Sequence, residues 1–97
     1  MATYISLCSF TDQGIKTVKD SPKRAEAVKA AAKKYGAEMT QLYWTLGHYD
    51  LIAVIEASDD KSATAFSLAV GAQGNVRTQT LRAFSGNEIG EIVGKLG

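Results

Sequence analysis

The sequence has one cysteine, one histidine and one proline in 97 residues. A single cysteine cannot form a disulfide within the chain and fits a reducing compartment. One cysteine and one histidine cannot supply a usual structural zinc site. Neither sign of charge is in excess: 11 Lys and Arg stand against 10 Asp and Glu. Without a basic or acidic block there is no electrostatic case for nucleic acid or for an anionic membrane. No apolar run approaches the roughly 20 residues that span a bilayer. The opening residues, MATYISLCSF, lack a basic stretch followed by a long apolar one, so no signal peptide is expected. The phosphate-binding patterns G-x-x-x-x-G-K-S/T and G-x-G-x-x-G are missing, and so is the aromatic signature of an RNA-binding sheet. The expectation is a cytoplasmic chain without cofactor or metal, and with neither nucleic acid nor membrane as partner.

What is present is enough for one modest core: 45% of residues are hydrophobic, and the length suits one domain spanning 1–97. The chain is organised around LYWTLGHYDLIAVIEA, Leu42 to Ala57. It reads as two strands joined at Gly47-His48, because Gly takes the positive φ of a type II′ turn without penalty. That turn sets Leu46 opposite Tyr49, Trp44 opposite Leu51 and Leu42 opposite Ala53. These residues then share one apolar face, suited to packing under helices. The other face carries Gln41, Tyr43, Thr45, Asp50, Ile52, Val54 and Glu56. Leu51 to Ile55 is apolar on both faces and marks the buried centre of a sheet.

Thr3 to Phe10 alternates as a strand, with Ile5 and Leu7 on one face and Tyr4, Ser6, Cys8 and Phe10 on the other. Ile15 and Val18 suggest a short helical turn. Ser21-Pro22 starts a helix with Ser as cap, Ala25, Val28, Ala32 and Tyr35 form its apolar stripe, and Gly36 ends it. Ser58 caps a second helix, on which Ala63, Phe66 and Val70 make one stripe. Ala65, Leu68, Ala69 and Ala72 make another, so cover on more than one side is expected. Asn75 to Phe84 is a fourth strand, and Gly86 to Leu96 a weaker terminal helix.

The order strand, helix, strand, strand, helix, strand is the ferredoxin-like βαββαβ arrangement. It predicts an α+β fold: a four-stranded antiparallel sheet with both main helices on one face, plus a short C-terminal helix. The other face would then show Tyr4, Cys8, Phe10, Tyr43, Ile52 and Val54, an apolar patch that calls for a partner. A homodimer, or a higher homo-oligomer, with sheets opposed would cover it.

The patterns TDQG (Thr11 to Gly14), SPKRAEA (Ser21 to Ala27), YWTLGHYD, and GNVRTQTLRAF (Gly74 to Phe84) together resemble the GYD-domain family. The family name matches Gly47, Tyr49 and Asp50 here. The resemblance runs from the first strand to Phe84. It implies a dimeric α+β barrel, in which two such sheets face each other around a cavity.

Several residues are candidates for a site. Tyr49 and Asp50 would set a phenol and a carboxylate at the mouth of a cavity, or simply tie down a turn. Glu56 would be a general base if partly buried, or an ion-pair partner of Arg77 or Arg82. His48 is a proton shuttle or an incidental turn residue. Cys8 fits a small apolar packer better than a nucleophile. Arg77 and Arg82 offer donors for an anion, or charges guarding an edge strand. Tyr43 would line the uncovered face. Two functions follow. One is a small organic molecule bound in the cavity, with isomerase or monooxygenase chemistry by analogy of fold. The other is a non-catalytic binding or assembly module whose open face only makes the dimer.

Overall fold

A computed structural model describes residues 1–97. The strands are β1 (Ala2–Phe10), β2 (Ala37–Trp44), β3 (Leu51–Ala57) and β4 (Val76–Ala83). The helices are α1 (Asp12–Lys16), α2 (Ser21–Ala31), α3 (Asp60–Ala72) and α4 (Gly86–Gly94). The four strands form one antiparallel sheet in the order β2-β3-β1-β4. That is the ferredoxin-like order, with the first and third strands central.

The hairpin register is the expected one: Trp44 opposes Leu51, Tyr43 opposes Ile52 and Leu42 opposes Ala53. The ladder stops at Trp44, and the Thr45 N–H still reaches the Asp50 carbonyl at 2.8 Å. Leu46, expected in the core, is fully exposed beyond the last rung. Trp44 lies at the sheet edge and is half-exposed rather than buried, and its indole N–H donates to Ser21 Oγ at 2.9 Å. A bulge between Met39 and Gln41 shifts the alternation, so Met39 turns inward. An inserted residue has this effect because side chains alternate strictly elsewhere.

The face of β1 is the reverse of the one assigned from sequence. Tyr4, Ser6 and Cys8 are buried under the helices, and Phe10 follows them. Ile5 and Leu7 take the open face. Both sets are apolar enough for either role. The register decides: Tyr4 opposes Ile55, and Cys8 opposes Leu51, both buried residues of β3.

The core joins Tyr4, Met39, Ala53, Ile55, Ala63 and Phe66, with Val28, Tyr35 and Val70 packed on it. Tyr35 and Phe66 meet with ring centroids 6.1 Å apart. Only the Ala63–Phe66–Val70 stripe of α3 is used. Leu68, on the second stripe, is 69% exposed. Asp59, not Ser58, caps α3 by accepting from the Ser62 N–H at 2.8 Å. The bond favours the charged form and holds the Asp59 carboxyl below its ordinary value. Ser21 does not cap α2: Asp20 stands there without a side-chain bond, and the Ser21 hydroxyl serves Trp44 instead. Gly36 ends the first helical segment at φ 69°, the left-handed turn expected of it.

Candidate functional site

The open sheet face is built by residues that alternate away from the helices. Ile5 and Leu7 of β1 lie between Val54 and Ile52 of β3 and Leu81 and Gln79 of β4. Tyr43 flanks Ile52 on β2. The two central strands of the face are therefore apolar there, with Gln79 and Gln41 beside them on the outer strands, and the charged groups sit at the two ends.

One end holds Tyr43, His48, Tyr49, Asp50 and Arg77. Tyr49 crosses the face, its hydroxyl donating to Gln79 Oε1 at 2.8 Å. The His48 and Tyr49 rings meet edge-on at 4.9 Å. Asp50 is fully engaged with β1: its N–H donates to the Cys8 carbonyl, and its Oδ2 accepts from the Phe10 N–H at 2.8 Å. Here the carboxylate replaces the next ladder acceptor, because β1 outruns β3. Arg77 opposes Ser9 at this end of the face. Asp50→Ala should leave the Phe10 N–H without its partner and cost about 1–2 kcal/mol. Asp50→Asn keeps an acceptor and should recover much of that. Urea titration of both variants measures it.

Glu56 stands at the other end, six residues along β3, or about 20 Å from Asp50 at the strand rise. Its two carboxylate oxygens accept from Thr3 Oγ1, each at 2.9 Å. It opposes Glu38 across the hairpin, a neighbour that sequence reasoning missed because the bulge hid the register. Arg82 belongs to the opposite face. It opposes Tyr4, lies over the Tyr4 and Phe84 rings at 5.6 and 4.4 Å, and pairs with Glu88 at 3.5 Å. Five residues separate Arg77 from Arg82, and an odd spacing puts two strand residues on opposite faces. The candidates thus divide into one cluster around the turn, a separate carboxylate pair, and Arg82 on the helix side. The expected Glu56 pairing with an arginine is replaced by Thr3.

Beneath the helices, an apolar cleft of about 80 Å³ opens between α2 and α3. Small residues at the sheet centre, Ser6, Cys8 and Ala53, leave it unfilled. Burial pushes the Cys8 thiol above its ordinary pKa, against a weaker opposing bond from Ser6. The thiol is therefore protonated at neutral pH and a poor nucleophile. No group of three or more His, Cys, Asp or Glu side chains is placed to hold a metal ion. No helix is long and apolar enough to cross a membrane.

The motifs quoted above converge on the far end of β1. The Gly14 carbonyl accepts from Arg24 at 3.2 Å, and Arg24 also donates to the Thr17 carbonyl at 2.8 Å. Thr11 donates through its N–H to the Asn75 carbonyl at 3.1 Å and through its hydroxyl to the Gly74 carbonyl. Gln13 donates to Asn75 Oδ1 at 3.0 Å. TDQG, SPKR and Gly74-Asn75 are one clasp, and Asp50 fastens the hairpin to the same end. These motifs hold the fold together at this end.

A curated protein of Thermus thermophilus named "glutamine synthetase and cystathionine beta-lyase binding protein" is 33% identical over 84 residues, 86% of this chain and 88% of that one. The crystal structure of TTHA0845 from Thermus thermophilus is similar at 25% identity and a TM-score of 0.50, covering 88% of this chain and 95% of that one. A crystal structure of an FFRP chain shares the fold at a TM-score of 0.64 and 21% identity, covering 87% of this chain and all of that one. A family profile described as GYD domain matches residues 4–93. With Gly47 in the turn and Tyr49 and Asp50 fastening it to β4 and β1, this chain belongs to the GYD domain family.

Proposed function

We propose that this chain is a non-catalytic protein-binding module, working as a homodimer with its open sheet faces opposed. The observation that carries this reading is the apolar centre of that face, Ile5, Leu7, Ile52 and Val54 with Tyr43 and Leu81, uncovered by the chain's own helices. A patch of this kind calls for a protein partner. Catalysis gains less support, because Asp50 is committed to β1 and Glu56 lies a strand length away.

Opposed sheets leave the helices outward, where Leu68 heads the unused stripe of α3. We assign that stripe to the client. By analogy with the 33% identical relative, the client is a metabolic enzyme of the kind in that protein's name, met in the cytoplasm.

Calorimetric titration against purified glutamine synthetase and cystathionine beta-lyase tests the client. Binding to at least one, weakened tenfold or more by Leu68→Asp, is expected. Failure with both enzymes refutes the assignment. Sedimentation equilibrium at micromolar concentration tests the pair: a dimer is expected, and Ile52→Glu should give monomer.

A further inference from the structure

The last helix, α4, is well capped yet packs only lightly on the rest of the fold. Ser85 and Glu88 form a reciprocal capping box, with the Ser85 hydroxyl accepting from the Glu88 N–H at 3.1 Å and the Glu88 carboxylate accepting from the Ser85 N–H at 3.0 Å. The cap holds the Glu88 carboxyl below its ordinary value. Arg82 ties the helix to β4 through Glu88 and stacks on Phe84 at the junction. Yet much of its apolar side is open to solvent: Ile89 is 46%, Ile92 39%, Val93 55% and Leu96 84% exposed. Ile89, Ile92 and Val93 share one side of α4 at i, i+3 and i+4, and Leu96 continues it at i+7 in the turn beyond Gly94.

α4 makes no extensive contact with any other element of the fold. Its stripe is therefore free to meet another molecule.

A membrane surface is a poor occupant. The polar side carries Glu88 and Glu91 against Lys95, whereas interfacial helices carry lysine and arginine there. A second copy of this chain fits better, on grounds of area. The open sheet offers about 500 Å² in projection, from strand length and spacing. Two such faces bury about 1,000 Å², short of the roughly 1,200 Å² at which stable interfaces begin. The α4 stripe adds about 140 Å² per copy, from a helix about 14 Å long and about 10 Å wide. That lifts the pair to about 1,300 Å² and into the stable range.

We propose that α4 is an intersubunit arm, whose Ile89, Ile92, Val93 and Leu96 stripe docks on a second copy of this chain and completes the sheet-to-sheet contact. This rests on the opposed-sheet dimer above.

The test is sedimentation equilibrium of the full chain beside the double variant Ile89→Asp/Val93→Asp, with circular dichroism to verify the fold. Both substituted residues lie on the surface, so the fold should persist. The expected result is a wild-type dimer whose association weakens at least tenfold in the variant. A folded variant that dimerises as tightly as wild type overturns the arm and leaves the opposed sheets standing. A wild-type monomer overturns both. Should the variant misfold, limited proteolysis of the wild type decides: α4 protected only at dimer-forming concentrations supports the arm, and α4 cleaved equally at all concentrations overturns it. Flotation of the wild type with phosphatidylserine vesicles, lost in the variant, overturns it in favour of a membrane.

Discussion

Gly14→Ala is expected to destabilise the protein by about 3 kcal/mol or more, although alanine is the better helix former. Gly14 is buried in α1, directly against the turn that leads into β4. A Cβ there would lie 2.8 Å from the Asn75 carbonyl carbon and closer still to its oxygen. Both neighbours are backbone, so no side chain can swing aside. Relief requires α1 to lift off the turn. That breaks the Thr11 bonds to Gly74 and Asn75 and the Gln13 bonds to Gln73 and Asn75. Each exchanges for water at a net loss of about 0.5–1.5 kcal/mol. Gly71 is the internal control. It also lies in a helix, but a Cβ there meets nothing within 4 Å. Gly71→Ala should therefore be neutral or stabilising by up to about 1 kcal/mol. Urea unfolding of the two variants reads opposite signs. Equal effects would mean that the clasp does not confine Gly14.

Phe66→Ala should cost about 3–5 kcal/mol, from lost transfer energy and the cavity left behind. Phe66 is 3% exposed and is the main side chain that α3 drives into the core. It packs against Tyr35 and forms one wall of the cleft between α2 and α3. Since that cleft is already unfilled, the new void joins an existing one and collapse recovers little. A domain of this length holds only about 5–15 kcal/mol in total. The variant should unfold at a much lower urea concentration. Phe66→Leu keeps most of the volume and should lose about 1 kcal/mol. A loss below about 1 kcal/mol for Phe66→Ala would show that α3 does not depend on this anchor.

The order of elements was readable from the sequence because each is a local matter. Period-two alternation marked the strands, Ser21-Pro22 opened α2, and Gly36 closed the segment after it. The apolar run Leu51 to Ile55 identified the sheet centre, and the turn at Gly47-His48 set the hairpin register. Burial of Leu51, Ala53 and Ile55, and exposure of Tyr43, followed from that register. What the sequence left undecided was which way each surface points. Tyr4-Cys8-Phe10 and Ile5-Leu7 are both apolar sets, and alternation separates them without saying which goes inward. Only pairing with β3 settles it. The bulge at Met39–Gln41 and the bare Leu46 depend likewise on where the ladder holds. The candidate site scattered for the same reason. Asp50, Glu56 and Arg82 were grouped by residue type, whereas strand length and strand parity set them at two ends and on two faces of the sheet. The clasp around Gly14 joins segments about sixty residues apart, and no local pattern shows that a glycine is needed because the Asn75 carbonyl of a distant turn lies against it.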